Sequence, residues 1–139
     1  AGQMIFLLRR DIDGAFSVPV RAMLTSIGKA DERTPLGTYR VWKKLEWLEW
    51  AEGQYSQHNL FFSIDLKIHS VLFKERNHET PIYSMRERLG SAVSGGCLRL
   101  TVTDARWLYE RVEKEYRFTI LDGPRYPTLK AQLKATLPE

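Results

Sequence analysis

The 139-residue chain has one cysteine, three histidines and no long apolar run. A single cysteine excludes an internal disulfide. No apolar stretch approaches the length that a transmembrane helix needs. No leader segment is visible either, and the opening Ala1-Gly2-Gln3, with no initiator methionine, is compatible with processing. Internal repeats and low-complexity segments are absent. Acidic residues fall short of basic ones, leaving a net charge of +4 and a pI near 9.3. That balance fits either an anionic partner (nucleic acid, lipid or an acidic wall polymer) or a plain solvated basic surface. The cations are scattered, with no stripe interleaved with aromatics, so a nucleic-acid groove is disfavoured. His58, His69, His78 and Cys97 match no zinc-ligand spacing, and no metal is expected. A Cys-Gly-Ser-Cys-Trp-type segment is missing, which disfavours a papain-like protease.

What is present centres on that one cysteine. Cys97 lies in Ser94-Gly95-Gly96-Cys97-Leu98-Arg99-Leu100. Glycines before it let the backbone approach a ligand closely. Upstream, Lys67-Ile68-His69-Ser70 supplies a histidine at the end of an apolar run, 28 positions before Cys97. A cysteine with a distant histidine is the pattern of thiol nucleophilic catalysis. The competing reading is a buried cysteine that acts as a small hydrophobe. His58 lies in a polar stretch and His78 in a charged one, so neither is favoured as the base.

Three segments together resemble the L,D-transpeptidase (YkuD-type) catalytic domain. Ser94, Gly96, Cys97, Leu98 and Arg99 match the family's nucleophile segment, with Gly95 where a second histidine is usual. Thr34-Pro35-Leu36-Gly37-Thr38-Tyr39 is similar to its Thr-Pro-x-Gly-Thr-aromatic turn, and Ile27-Gly28-Lys29 to the Gly-Lys before it. His69 matches the histidine after a strand. The similarity runs roughly from Gln3 to Asp122. It implies a mainly β fold, a mixed β-sandwich with one main helix after the cysteine segment. Residues 1–124 would form that domain and 125–139 a basic tail or short helix.

The resemblance also implies roles. Cys97 would be the nucleophile and His69 the base, with the backbone at Ser70 orienting the imidazole. Gly95, Gly96 and Cys97 would offer amides to an oxyanion, and Ser94 would stabilise their turn. Arg99 would order the site or hold a substrate carboxylate, which suits its planar fork; a structural ion pair is the alternative. Tyr55, Trp47 and Trp50 are candidates for a substrate groove, whereas Trp42 reads as core. The substrate would be peptidoglycan stem peptides, with no cofactor, in an extracytoplasmic envelope compartment. The leading activity it implies is that of an L,D-transpeptidase, a cysteine acyltransferase that expels a terminal D-alanine and passes the acyl group to an amine; an L,D-carboxypeptidase and a non-catalytic wall-binding module of the same fold are the alternatives. A free thiol has a pKa of about 8.5, and a neighbouring imidazolium would be expected to lower it.

Periodicity predicts strands over Met4–Leu8, Phe16–Leu24, Gly37–Trp42, Phe61–His69 and Arg117–Leu121. In Phe61–His69 the residues Phe62, Ile64, Leu66 and Ile68 share one parity and would face the core, leaving His69 opposite them, near solvent. Thr103–Glu115 is the best helix, capped by Thr101 or Thr103, with Ala105, Leu108, Val112 and Tyr116 on one face. Lys74–Arg88 is charged and aperiodic, contains Pro81, and reads as a loop or lid.

Overall fold

The computed structural model describes residues 2–137. Its first hairpin pairs β1 (Met4–Arg10) with β2 (Phe16–Leu24). The turn between them is held by the Asp11 carboxylate, which accepts from the amides of Asp13 and Ala15. Next come β3 (Ile27–Gly28), β4 (Gly37–Arg40), β5 (Lys43–Glu49), β6 (Tyr55–Phe61) and β7 (Lys67–Ser70). After a long connection follow α1 (Tyr83–Glu87), β8 (Ala92–Ser94), β9 (Leu98–Leu100), α2 (Val102–Arg111), β10 (Arg117–Ile120) and α3 (Pro127–Ala135).

The central sheet has the order β5-β6-β7-β9, antiparallel except for the parallel β7–β9 pair. Two-stranded sheets β1–β2, β4–β10 and β3–β8 flank it. Side chains alternate across a strand, so the central sheet has two distinct faces. Leu60, Ile68, Leu98 and Leu100 point into the main core, where they meet Ala105, Leu108 and Val112 of the α2 segment. Tyr39 and Phe118 of β4–β10 and Ile5 and Leu7 of β1 pack against the same cluster. Lys67, His69, Cys97 and Arg99 have the opposite parity. The molecule is therefore mainly β, a mixed sandwich with one main helix after the cysteine segment.

Local chemistry fixes α2. The Thr101 hydroxyl accepts from the Asp104 amide at 3.0 Å, an N-cap that satisfies one of the helix's free N–H groups. Asp104 lies in the favourable first turn and takes Arg21 Nη2 at 2.6 Å, tying the helix to β2. The helix ends at Arg111, short of Glu115, and Tyr116 is exposed rather than part of the buried face. A second cluster of Leu24, Val71 and Leu89 is covered by Met85, Val102, Leu133 and Leu137, which brings α3 onto the domain.

Two expectations are overturned, and a third, the loop over Lys74–Arg88, holds only up to Ile82. Phe61–His69 is not one strand: the amides of Phe62 and Ser63 both donate to the Leu66 carbonyl at 3.2 Å, closing a turn between β6 and β7. Ile64 at its tip is 82% exposed rather than core. Lys74–Arg88 carries the helix α1, and the Ile82 amide is bonded to the Leu72 carbonyl at 2.8 Å. Trp42 is 48% exposed, because it follows β4 at the turn into β5, where its ring meets Phe61 edge-on.

Candidate active site

The site is built where β7 and β9 run parallel. Their register sets Ile68 beside Leu98 and His69 beside Arg99. One step earlier, Lys67 and Cys97 begin the same face. Because each strand alternates, packing Ile68 and Leu98 inward forces His69 and Cys97 onto the other side together.

The cysteine segment is a turn between β8 and β9. Gly96 sits at φ +111, where a β-carbon would lie 2.8 Å from Leu66, so only glycine fits without strain. Ser94 Oγ donates to the Cys97 carbonyl at 2.6 Å and accepts from the Gly96 amide at 3.2 Å. That second bond occupies one of the three amides considered for an oxyanion. Thr34 adds an external clamp: its hydroxyl donates to the Gly96 carbonyl at 2.8 Å and accepts from the Gly28 amide at 2.9 Å. Gly28 must be glycine too, since a β-carbon there would fall 1.9 Å from the Glu32 carbonyl.

His69 is 1% exposed, so the expected position near solvent is not what the fold provides. Its Nδ1 lies 2.6 Å from the Ser70 carbonyl. A carbonyl only accepts, so Nδ1 carries the proton and Nε2 presents its lone pair. Nε2 is buried and has no hydrogen-bond partner. Burial, with Arg99 and Lys67 nearby, lowers the His69 pKa to about 3. The Ser70 hydroxyl faces elsewhere, accepting from the Gln57 amide and donating to the Val71 carbonyl.

Cys97 is 7% exposed, and burial raises its pKa, opposed by the Lys67 amide and ammonium and by Arg99. Its Sγ lies 3.7 Å from the carbonyl oxygen of Asp65. Burial thus pushes both groups towards their neutral forms, against the expected lowering of the thiol pKa, because each charge would be formed away from water.

Trp50 lies against the imidazole, its ring centroid 5.3 Å from that of His69. Its Nε1 donates to Ser56 Oγ at 2.9 Å, and Ser56 in turn bonds buried Asn59. Trp47 packs instead on Phe73, and Tyr55 exchanges backbone hydrogen bonds with Phe73, so no contact described brings either to the thiol. Arg99 stands beside His69, with its Nε buried and unpartnered. His58 leans on Tyr109 of α2, on the other face of the sheet, and His78 is exposed.

Sequence reasoning missed Lys67, the Ser56–Asn59 support and the clamping part of Thr34. The signal for Lys67 was a lysine inside an apolar strand, two residues before the histidine. Asp65 enters the site through its backbone carbonyl, which accepts from Lys67 Nζ and from the Cys97 thiol.

A mixed β-sandwich with a histidine on one strand and a cysteine just before the parallel strand beside it defines a domain of L,D-transpeptidase fold. Residues 3–120 match the family model described as the L,D-transpeptidase catalytic domain, YkuD, and the chain belongs to that family. The protein YciB of Bacillus subtilis (strain 168) is 33% identical over 98 residues, covering 65% of this chain and 47% of that one. An L,D-transpeptidase from Stackebrandtia nassauensis superposes with a TM-score of 0.62 at 19% identity, covering 91% of this chain and 53% of that one. L,D-transpeptidase 3 from Mycobacterium tuberculosis, in complex with a faropenem-derived adduct, gives 0.55 at 21%, covering 73% and 45%. The chain spans about half the length of these relatives.

Proposed function

We propose that this domain is a cysteine acyltransferase acting on peptidoglycan stem peptides. The observation that carries the reading is the His69 ring: Nδ1 fixed on the Ser70 carbonyl, Nε2 free of partners, on the face shared with the only cysteine. Such an imidazole has its tautomer set by a main-chain carbonyl, needs no third side chain for that, and offers the Nε2 lone pair to a proton donor. Cys97 Sγ attacks the carbonyl at the L-centre of a diamino acid while Nε2 takes the thiol proton. The C–N bond then breaks, His69 returns the proton to the leaving amine, and D-alanine departs from a thioester. An amine of a second stem attacks the thioester and restores the thiol. The Gly95 and Cys97 amides are the remaining candidates to hold the oxyanion.

Arg99, with an unpartnered buried Nε, is the candidate for a substrate carboxylate, and Trp50 lines the approach. Tyr55 and Trp47 have weaker support, since both are engaged with Phe73. Acting on this polymer implies an extracytoplasmic location, and the net charge of +4 would favour anionic wall polymers nearby. Water as acceptor would make the same site an L,D-carboxypeptidase. The burial of Cys97 and its raised pKa favour a second reading, a wall-binding module without turnover.

The deciding experiment is incubation with a disaccharide-tetrapeptide, reading products by mass. A cross-linked dimer is expected. Free tripeptide would assign hydrolysis, and unchanged substrate would leave the binding module.

A further inference from the structure

Lys67 is a lysine where lysines are rare. It is 8% exposed, and its ammonium lies 5.2 Å from the Trp50 ring centroid and 5.1 Å from that of Phe61. Its one hydrogen bond described is to the Asp65 carbonyl, at 3.1 Å. The Cys97 thiol donates to that same oxygen, at 3.7 Å. Two donors on one acceptor bound their separation: Nζ and Sγ are no more than 6.8 Å apart. The register gives the same neighbourhood independently, since Lys67 and Cys97 precede the Ile68–Leu98 pair on adjoining strands. The other charged groups that act on the sulfur are Arg99 on β9 and the Asp65 carboxylate, with His69 on the same face of β7. The Glu32 carboxylate lies against Gly95.

This arrangement changes character when the thiol ionises. A protonated sulfur can donate to the Asp65 carbonyl. A thiolate cannot, and it would be repelled by that oxygen's partial charge. The aromatic walls fix the ammonium without neutralising it, because a ring face offers only a quadrupole. Two of its three N–H donors are not used by the bond to Asp65.

We propose that Lys67 is a positioning residue for Cys97, whose caged ammonium becomes the counter-ion of the sulfur once the proton has passed to His69 Nε2. The S–H proton moves to nitrogen and its electron pair stays on sulfur. The Asp65 carbonyl holds the protonated form and Lys67 the ionised one. This rests on Cys97 being the reacting group, but not on what it reacts with.

The test is therefore alkylation by iodoacetamide, which is small and uncharged, followed by mass across pH 6–11. Lys67→Met keeps the length and fills the slot between the rings. Its alkylation midpoint should rise by about one pH unit or more against the wild type, slowing the reaction about tenfold at pH 8. Lys67→Arg should return the midpoint most of the way. A purely structural lysine predicts coincident midpoints for all three, and that result would overturn the proposal. If Lys67→Met fails to fold, Lys67→Gln is read by the same criterion. A midpoint that shifts as expected, with no turnover of stem peptide, would keep the role of Lys67 while rejecting the acyltransferase reading.

Discussion

The Thr34 hydroxyl donates to the Gly96 carbonyl at 2.8 Å, binding the turn that carries Cys97 to a residue 62 positions earlier. With the Gly28 amide as its donor, that hydroxyl joins β3 and the nucleophile turn through one atom. Thr34→Val keeps the shape and removes both bonds. It should leave a folded protein, less stable by about 1–3 kcal/mol, with Cys97 acylation slowed at least tenfold. Thr34→Ser should retain most of the rate. Urea unfolding and adduct formation by mass measure the two effects; equal acylation in wild type and Thr34→Val would remove Thr34 from the site.

A carbapenem-type β-lactam should add one adduct to the intact protein, because its strained amide accepts a thiolate. Cys97→Ser should abolish the adduct and His69→Ala nearly so. His58→Ala and His78→Ala should keep most of it, since one packs on α2 and the other is exposed. Full acylation in His69→Ala would sink the assignment of the base.

Stability should carry the imprint of His69 in acid. Its folded pKa of about 3 lies below the ordinary value of 6.5, so the unfolded chain binds the extra proton first. The contribution is complete above pH 6.5 and is lost as pH falls towards 3, at ~1.4 kcal/mol per unit. Urea midpoints taken from pH 7 to 4 should fall more steeply for wild type than for His69→Gln. Parallel curves would mean that the ring is protonated or hydrated in the native state.

The glycines of the turn are not equivalent. Gly95 has no positive φ, and a β-carbon there meets only the Glu32 carboxylate, at 3.3 Å. Gly95→His should fold, gain a partner in Glu32 and alter substrate preference more than rate. Gly96→Ala, at φ +111 and 2.8 Å from Leu66, should lose at least 1–3 kcal/mol and most reactivity. Thermal unfolding of the two variants provides the comparison, and similar losses would contradict it.

Much of this was legible in the sequence, for physical reasons that also explain the gaps. Strand β10 announces itself because its side chains alternate between half-buried and exposed, whereas β1 and β2 do so as runs rich in apolar residues. The family was legible because the cysteine segment, the Thr34–Tyr39 turn and His69 carry its motifs together, and residues 3–120 match its model. Ile64 misled: its spacing from Phe62 and Leu66 continues an alternation across a turn, and a hydrogen-bonded reversal of four residues leaves the pattern intact. Trp42 misled because its size argued for burial, whereas the end of β4 turns it outward. The pull of burial on Cys97 and His69 towards their neutral forms was beyond reach, since desolvation belongs to the assembled site and to no residue alone.

The parallel pairing of β7 with β9 has a consequence for how the chain can vary. Parallel neighbours cannot be joined by a tight hairpin, so the stretch between Ser70 and Leu98 must travel around and return. Its length can grow or shrink without moving His69 relative to Cys97. A change of one residue inside either short strand is different: it would turn the imidazole or the thiol towards Leu108 and seal it in hydrocarbon. Insertions are therefore cheap over 74–80 and ruinous over 67–70 or 97–100, a division that a scan of single-codon insertions would draw along the chain.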